Sequence, residues 1–97
     1  MATKTKGSTK SKAKLEKQFK VLLHNDNHTS MEFVVCVLMS VFDQPEAKAE
    51  GIMMAVHNNG VGVAGVYSKK IAEDKANKTM EIAYREGYPL KCSVEPE

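Results

Sequence analysis

A run of polar side chains in the first half of the chain brings hydrogen-bond donors and acceptors together at close spacing. It covers residues 24–32, reading His-Asn-Asp-Asn-His-Thr-Ser-Met-Glu, and lies between the apolar segment Phe19–Leu23 and the apolar series that begins at Phe33. Loops held between regular elements often carry recognition residues, because the scaffold fixes them at the surface. We therefore predict a binding loop here. A second polar segment, residues 57–60, starts with a histidine and ends a later helical pattern.

Three residues of these two segments supply acceptors suited to a protonated amine. Asn25 carries an amide oxygen, Asp26 a carboxylate and His57, when neutral, an imidazole nitrogen. A free α-amino group presents three donors and a positive charge, and each charge-assisted hydrogen bond to it contributes about 1.5–3 kcal/mol. An internal peptide nitrogen has one donor and no charge, so such a cluster would select chain ends. A structural interpretation also stands, with Asn25 and Asp26 in a turn and His57 favoured near a helix C-terminus.

The elements that position these segments alternate along residues 19–97. The first is a strand from Phe19 to His24. A helix follows that is capped by Thr29, with Glu32 completing a capping box, and that runs to about Phe42; the next helix has Pro45 in its first turn and stops at Asn58-Asn59-Gly60. After these come a strand from Val61 to Tyr67, a helix capped by Ser68 and ended by Gly87 and Pro89, and a strand from Leu90 to Val94. This order, β-α-α-β-α-β, predicts an α+β fold. We expect a small three-stranded, mainly antiparallel sheet with three helices on one face.

Composition divides the chain into an extension, residues 1–18, and one folded domain, residues 19–97. The extension carries six lysines, one glutamate and, after Met1, a single large apolar side chain, Leu15, so we expect it to be flexible and disordered. The chain has neither an apolar run long enough to span a membrane nor the apolar core of a secretory signal. Cys36 and Cys92 have no metal-type spacing, so we expect a cytoplasmic protein with reduced thiols and no metal or cofactor.

A series of short motifs from about Phe19 to Val94 resembles one known family. Its pieces are Lys20-Val21-Leu22-Leu23 leading into Asn25-Asp26, then Thr29, Met31-Glu32-Phe33-Val34, Val37-Leu38, Ala55-Val56-His57, Gly60, Gly65-Val66, Ala72-Glu73, Lys75, and Pro89-Leu90 with Cys92. In order and spacing these pieces resemble the ClpS family, small bacterial adaptors that capture proteins by their N-terminal residue and pass them to a Clp unfoldase. The resemblance implies an N-degron adaptor and not an enzyme.

The resemblance also implies roles for individual residues. The substrate's α-amino group is expected to bind at four positions: Asn25, Asp26, Asn27 and His57. A pocket for a first residue of the Leu, Phe, Tyr or Trp type is expected at six positions: Thr29, Met31, Val34, Met53, Val56 and Leu90. Met31 matches a gate residue whose bulk excludes β-branched side chains. Lys70 and Lys75 match the surface that contacts the N-terminal domain of a ClpA-type AAA+ unfoldase. The resemblance also implies that the unfoldase engages the extension, residues 1–18, during delivery. Asn27 and Lys70 stand where acidic residues are more usual.

Two other classes of function compete with the adaptor. A nucleic-acid or ribosome-associated protein would suit the lysines of residues 1–18, but residues 19–97 lack a basic patch with interleaved aromatic residues, so nucleic acid is not the favoured partner. An enzyme would need Asp26 and His57 as an acid/base pair, or these two with His24 and His28 as metal ligands. No serine or cysteine nucleophile accompanies them recognisably, and the histidines lack the helical i, i+4 spacing of a zinc site.

Overall fold

The computed structural model describes residues 17–97. The predicted extension, residues 1–18, therefore lies almost entirely outside the described residues. The elements are β1 (Phe19–His24), α1 (Met31–Ser40), α2 (Glu46–Asn59), β2 (Val61–Tyr67), α3 (Lys69–Arg85) and β3 (Lys91–Pro96). Their order is β-α-α-β-α-β, which confirms the prediction from the sequence.

The three strands form one antiparallel sheet in the order β2-β1-β3. The central strand β1 pairs on both sides, so that Phe19 lies opposite Tyr67 of β2 and opposite Pro96 of β3. Its side chains alternate between the two faces, and Val21 and Leu23 point into the core, where both are fully buried. This is the predicted α+β architecture, with the helices on the face that these two side chains occupy.

Each helix contributes a buried stripe to the single core. The buried positions are Val34, Val37 and Leu38 in α1, Ala49 and Val56 in α2, and Ala72, Ala76, Thr79 and Ala83 in α3. The short alanine side chains of α3 let its backbone lie near the sheet. Of the helices in the described part of the chain, none combines the length and apolar composition that crossing a bilayer requires.

The predicted start and end of α1 were wrong by one or two residues. Ser30, not Thr29, is the N-cap, and its side-chain oxygen accepts a hydrogen bond from the Phe33 N–H at 3.0 Å. Thr29 instead donates its hydroxyl to Asp26, so the predicted capping box with Glu32 does not form. The helix ends at Ser40, and Val41 and Phe42 are buried beyond it. Sequence signals fix helix ends less well than helix existence, since neighbouring Ser and Thr compete for one cap.

The second helix begins one residue later than expected. Pro45 occupies the N-cap position with an extended backbone (ψ 156°), and the helix proper begins at Glu46. The predicted stop at Gly60 is confirmed, because Gly60 adopts a left-handed conformation with φ 89° and its N–H donates to the Val56 carbonyl at 2.9 Å. This left-handed turn sends the chain directly into β2.

Candidate functional site

The polar loop after β1 and the C-terminal end of α2 meet at one end of the sheet. The backbone N–H of Asn25 donates to the Gly60 carbonyl at 2.9 Å. Next to it, His24 at the end of β1 lies opposite Val61 at the start of β2. The left-handed Gly60 therefore joins two segments that are far apart in sequence. It brings His57, one turn before it, to the side of Asn25 and Asp26.

A glycine in β2, which the sequence analysis did not single out, lets α2 lie close to the sheet. A Cβ atom placed on Gly62 would come within 2.8 Å of the Val56 side chain and 3.3 Å of the Ile52 carbonyl oxygen. A side chain there would push α2 and its His57 away from the loop. The available signal was a glycine inside a strand pattern, which often marks such a close backbone approach.

The carboxylate of Asp26 organises the polar loop. One oxygen, Oδ1, accepts hydrogen bonds from the backbone N–H groups of His28 and Thr29, both at 2.7 Å. The other oxygen, Oδ2, accepts the Thr29 hydroxyl at 2.7 Å. This side-chain-to-backbone arrangement is the turn that the structural interpretation of the sequence anticipated. It fixes the orientation of the carboxylate before any ligand arrives.

These hydrogen bonds also keep Asp26 ionised. Partial burial acts to raise the pKa of Asp26, but the hydrogen bonds from the Thr29 side chain and from the Thr29 and His28 backbone N–H groups outweigh it. The electrostatic interaction with His28 acts in the same direction as these bonds. The net result is a pKa below the ordinary value of 3.8. The carboxylate therefore carries its full negative charge at neutral pH.

A cavity of about 280 Å³ opens beside this loop, between α1 and α2. Its lining residues are Asn25, Asp26, Asn27, Thr29, Met31, Val34, Met53, Val56 and His57. These are nine of the ten residues that the sequence suggested for a single binding site. The tenth, Leu90, is buried in the protein and is not a lining residue. That these nine residues bind a ligand in the expected roles stays a prediction.

The cavity has a polar end and an apolar end. Val34 and Val56 are buried with 6% and 3% of their surface exposed, so they lie deep in the apolar end, whereas Met31 is 44% exposed and lies at the opening. Thr29 also lines the cavity, and its hydroxyl donates to Asp26. A ligand with one charged group and one apolar side chain on neighbouring atoms matches this division.

Acceptors remain free at the polar end. Within residues 17–97, the side chains of Asn25, Asn27 and His57 make no hydrogen bond to another protein group. All three are exposed. A carboxylate has roughly four acceptor positions, and Asp26 uses three of them in the loop, so about one remains. The polar end therefore presents several acceptors and one negative charge, and no lysine or arginine of residues 17–97 lines it.

The two lysines suggested as partner contacts lie on α3, away from the cavity. Lys75 is largely occupied inside the protein: its Nζ donates to the Val41 carbonyl at 2.7 Å, lies 3.8 Å from a carboxylate oxygen of Asp43, and is 5.2 Å from the centre of the Tyr67 ring. It thereby satisfies a carbonyl at the C-terminal end of α1. Lys70 is exposed and pairs with a carboxylate one helical turn away at 3.4 Å. Their contact with a partner stays a prediction.

The residues considered as metal ligands do not converge in the described part of the chain. Within residues 17–97, no group of three or more His, Cys, Asp or Glu side chains is arranged to hold a metal ion. His24 faces β3 instead, where its Nε2 lies 2.7 Å from the Ser93 hydroxyl. His28 is exposed to solvent, and of the histidines in residues 17–97 His57 alone lines the cavity.

Comparison with known proteins gives a consistent result over most of the chain. A family model described as "ATP-dependent Clp protease adaptor protein ClpS" matches residues 14–93. The ATP-dependent Clp protease adapter protein ClpS of Desulfatibacillum aliphaticivorans is 54% identical over 86 residues, covering 89% of this chain and 83% of the relative. The protein of the same description from Myxococcus xanthus is 50% identical over 93 residues, covering 96% of this chain and 87% of the relative.

A solved structure is similar to this chain in both fold and sequence. It is the structure of Agrobacterium tumefaciens ClpS2 bound to L-phenylalaninamide, with a TM-score of 0.80 and 40% sequence identity. The match covers 84% of this chain and 98% of that chain.

Proposed function

The chain belongs to the ClpS family of Clp protease adaptor proteins, as its sequence motifs indicated, and from this premise we propose that it captures substrates by their N-terminal residue. As a member of this family it is an adaptor that works with a Clp AAA+ partner, and it is not an enzyme. The proposed substrates are N-degron proteins that begin with Leu, Phe, Tyr or Trp.

One observation carries this proposal: the same cavity is lined by free acceptors and one carboxylate and by the apolar side chains of Met31, Val34, Met53 and Val56. In the proposed complex the α-amino group of the substrate lies among Asn25, Asp26, Asn27 and His57. Its first side chain enters between Val34 and Val56. The L-phenylalaninamide bound to Agrobacterium tumefaciens ClpS2 has a free α-amino group next to a phenyl side chain, which supports a ligand of this kind.

The expected affinity follows from adding these contacts. Burying a Leu or Phe side chain contributes about 1.5–3 kcal/mol, and two or three charge-assisted hydrogen bonds contribute about 1.5–3 kcal/mol each. The loss of translational and rotational freedom on association opposes them by at least about 4 kcal/mol. At the favourable end of these ranges about 8 kcal/mol remains, so the tightest Kd that we expect is on the order of micromolar.

Fluorescence anisotropy with labelled peptides that differ only at the first residue tests the proposal. Peptides beginning with Phe, Tyr, Trp or Leu should bind, peptides beginning with Gly or Asp should not, and acetylation of the N-terminus should abolish binding because it removes the charge and two donors. The acetylated peptide is the matched control, since it keeps the side chain. Equal binding of the free and acetylated forms would disprove capture of the α-amino group.

Met31 is proposed to act as the gate of the cavity. It lies at the opening with 44% of its surface exposed, so its side chain can limit the shape of what enters without being part of the buried core. Met31→Ala should admit first residues Ile and Val while retaining Phe and Leu, because specificity here rests on a steric clash. Met39→Ala is the matched control, since Met39 lies in the same helix and is 41% exposed. If Met31→Ala still rejects Ile and Val, the gate assignment is wrong.

Delivery to a ClpA-type unfoldase is the second half of the proposal. We assign docking on the unfoldase to the folded domain, including the exposed Lys70. We assign engagement by the unfoldase to the extension, residues 1–18, because its six lysines and few large apolar side chains are not the composition of a pocket. Deleting residues 2–18 should leave peptide affinity almost unchanged and slow degradation of an N-degron reporter by a reconstituted Clp protease. Loss of peptide binding, or unimpaired degradation, would contradict this division. The proposed compartment is the cytoplasm.

A further inference from the structure

Two methionine side chains of α1 are exposed to nearly the same extent. Met31 and Met39 have 44% and 41% of their surface exposed, and both belong to this one helix. Met31 lines the cavity of the proposed binding site and lies at its opening, whereas Met39 is not one of the lining residues. Exposed thioether sulfurs are open to small oxidants dissolved in water. The two sulfurs are therefore similar in access to an oxidant and differ in whether they border the cavity.

A hydroperoxide converts a methionine side chain to the sulfoxide in one balanced step. With hydrogen peroxide, the sulfur lone pair attacks one oxygen and the O–O bond breaks as the S–O bond forms. The second oxygen takes up the proton of the first and leaves as water, so the sulfur gives two electrons to the peroxide. The product is a polar, chiral side chain in place of a flexible apolar one. Methionine sulfoxide reductases reverse the change: two thiols become a disulfide, and the sulfoxide oxygen leaves as water.

At Met31 this change would place a strong acceptor on the apolar part of the cavity. The other apolar side chains of the lining are Val34, Met53 and Val56. A first side chain that enters the cavity covers Met31 and removes water from it. A sulfoxide oxygen would then lose its water partners, and covering a polar group without a new hydrogen bond is unfavourable. No lysine or arginine of residues 17–97 lines the cavity, and the Thr29 hydroxyl already donates to Asp26.

We propose that Met31 makes capture of the substrate sensitive to oxidants. Its conversion to the sulfoxide by a hydroperoxide weakens binding of the first residue, and reduction of the sulfoxide restores it. The inference rests on the proposed capture of an N-terminal residue in this cavity. Met39 is oxidised to a similar extent without effect on capture, because it does not border the cavity. Capture of N-degron substrates therefore declines while the oxidant persists and recovers after repair.

Protection by a small ligand tests whether Met31 lies where the first side chain enters. The full chain is treated with hydrogen peroxide, and sulfoxide at each methionine is followed by peptide-mapping mass spectrometry. Saturating L-phenylalaninamide, a free amine next to a phenyl side chain, should slow oxidation of Met31 and leave the rate at Met39 unchanged. Its N-acetylated form should protect neither. If L-phenylalaninamide displaces a labelled Phe-initial peptide and yet leaves the rate at Met31 unchanged, the proposal is overturned.

Anisotropy titrations of a Phe-initial peptide then measure the effect on capture. Once Met31 is fully converted, Kd should rise about five- to thirtyfold. Met31→Leu keeps an apolar side chain without sulfur, so peroxide should leave unchanged whatever affinity this variant has before treatment. Met39→Leu removes a sulfur of similar exposure from the same helix and should lose affinity on oxidation as the wild type does. Methionine sulfoxide reductases with dithiothreitol should restore binding, and dithiothreitol alone should not, which separates this effect from reversible oxidation of the exposed Cys36.

The outcomes separate this inference from the function on which it rests. Unchanged affinity with Met31 fully converted would overturn the proposal and leave capture of the first residue standing. An equal loss in Met31→Leu would also overturn it, because the sensitive residue would then lie elsewhere. So would an oxidised protein that no longer unfolds cooperatively in urea, since binding would then be lost with the fold. Equal binding of free and acetylated peptides by the untreated protein would instead disprove capture of the N-terminal residue.

Discussion

Replacing Asp26 by asparagine removes the negative charge of the cavity's polar end and keeps the shape of the side chain. The loop has the means to tolerate this change. An amide oxygen in place of Oδ1 still accepts from the N–H groups of His28 and Thr29, now 2.7 Å from the carboxylate. The amide nitrogen in place of Oδ2 donates to the Thr29 hydroxyl, which rotates to accept instead of donating. The turn should therefore persist.

The expected loss falls mainly on binding. A hydrogen bond to a charged acceptor contributes about 1.5–3 kcal/mol, and one to a neutral acceptor about 0.5–1.5 kcal/mol. Asp26 has about one acceptor position left for a ligand, so Asp26→Asn should weaken the binding of a free α-amino group by about 1–1.5 kcal/mol, or roughly five- to fifteenfold in Kd. The free energy of unfolding should fall by only about 1 kcal/mol, because all three internal bonds keep a partner.

The assay is anisotropy titration of a Phe-initial peptide at neutral pH, paired with urea unfolding of each variant. Asp74→Asn is the matched control, since it neutralises an exposed carboxylate on α3 that lies outside the cavity and that, among residues 17–97, pairs with Lys70 at 3.4 Å. It should leave Kd within twofold of the wild type. If Asp26→Asn also binds within twofold of the wild type, Asp26 serves the turn alone, and the electrostatic reasoning about the site is refuted.

Three further predictions concern stability and reactivity. Because the folded pKa of Asp26 lies below 3.8, its stabilising effect is complete well above that pH. The gap in unfolding free energy between wild type and Asp26→Asn should therefore be constant near neutral pH and should close as the pH falls below 3.8 and through the folded pKa, which urea unfolding at a series of pH values measures. Lys75→Met should lower the free energy of unfolding by about 1–3 kcal/mol in urea titrations, whereas Lys70→Met should change it by less than about 0.5 kcal/mol. Equal effects of the two substitutions would contradict the role of Lys75 in satisfying the carbonyl at the end of α1. Burial raises the pKa of the Cys92 thiol to about 12, although a hydrogen bond with Thr79 acts against it. A thiol reagent should therefore label the exposed Cys36 in the native protein and both cysteines after unfolding, and labelling of Cys92 in the native protein would contradict this burial.

The extent to which local sequence predicted this site is clearest at the loop and at α2. Gly60 with two preceding asparagines predicted the left-handed stop that the structure has at φ 89°. The same signals misplaced the cap of α1, because both Thr29 and Ser30 are good caps and the sequence does not say which one a neighbouring carboxylate will take. Leu90 was expected in the pocket and lies in the protein interior outside it, since apolar character predicts burial but not the surface against which a side chain is buried.

The sequence by itself determined the order of the elements, the apolar face of each helix and the family to which the chain belongs, because these depend on local periodicity and on short motifs in a fixed order. Only the tertiary structure decided the strand order β2-β1-β3, the hydrogen bond from Asn25 to Gly60 and the hydrogen bond from Lys75 to the carbonyl of Val41. Each of these is a contact between segments distant in the chain. Local propensity carries no information about such contacts, because they form only when packing the whole core fixes the distance between the segments.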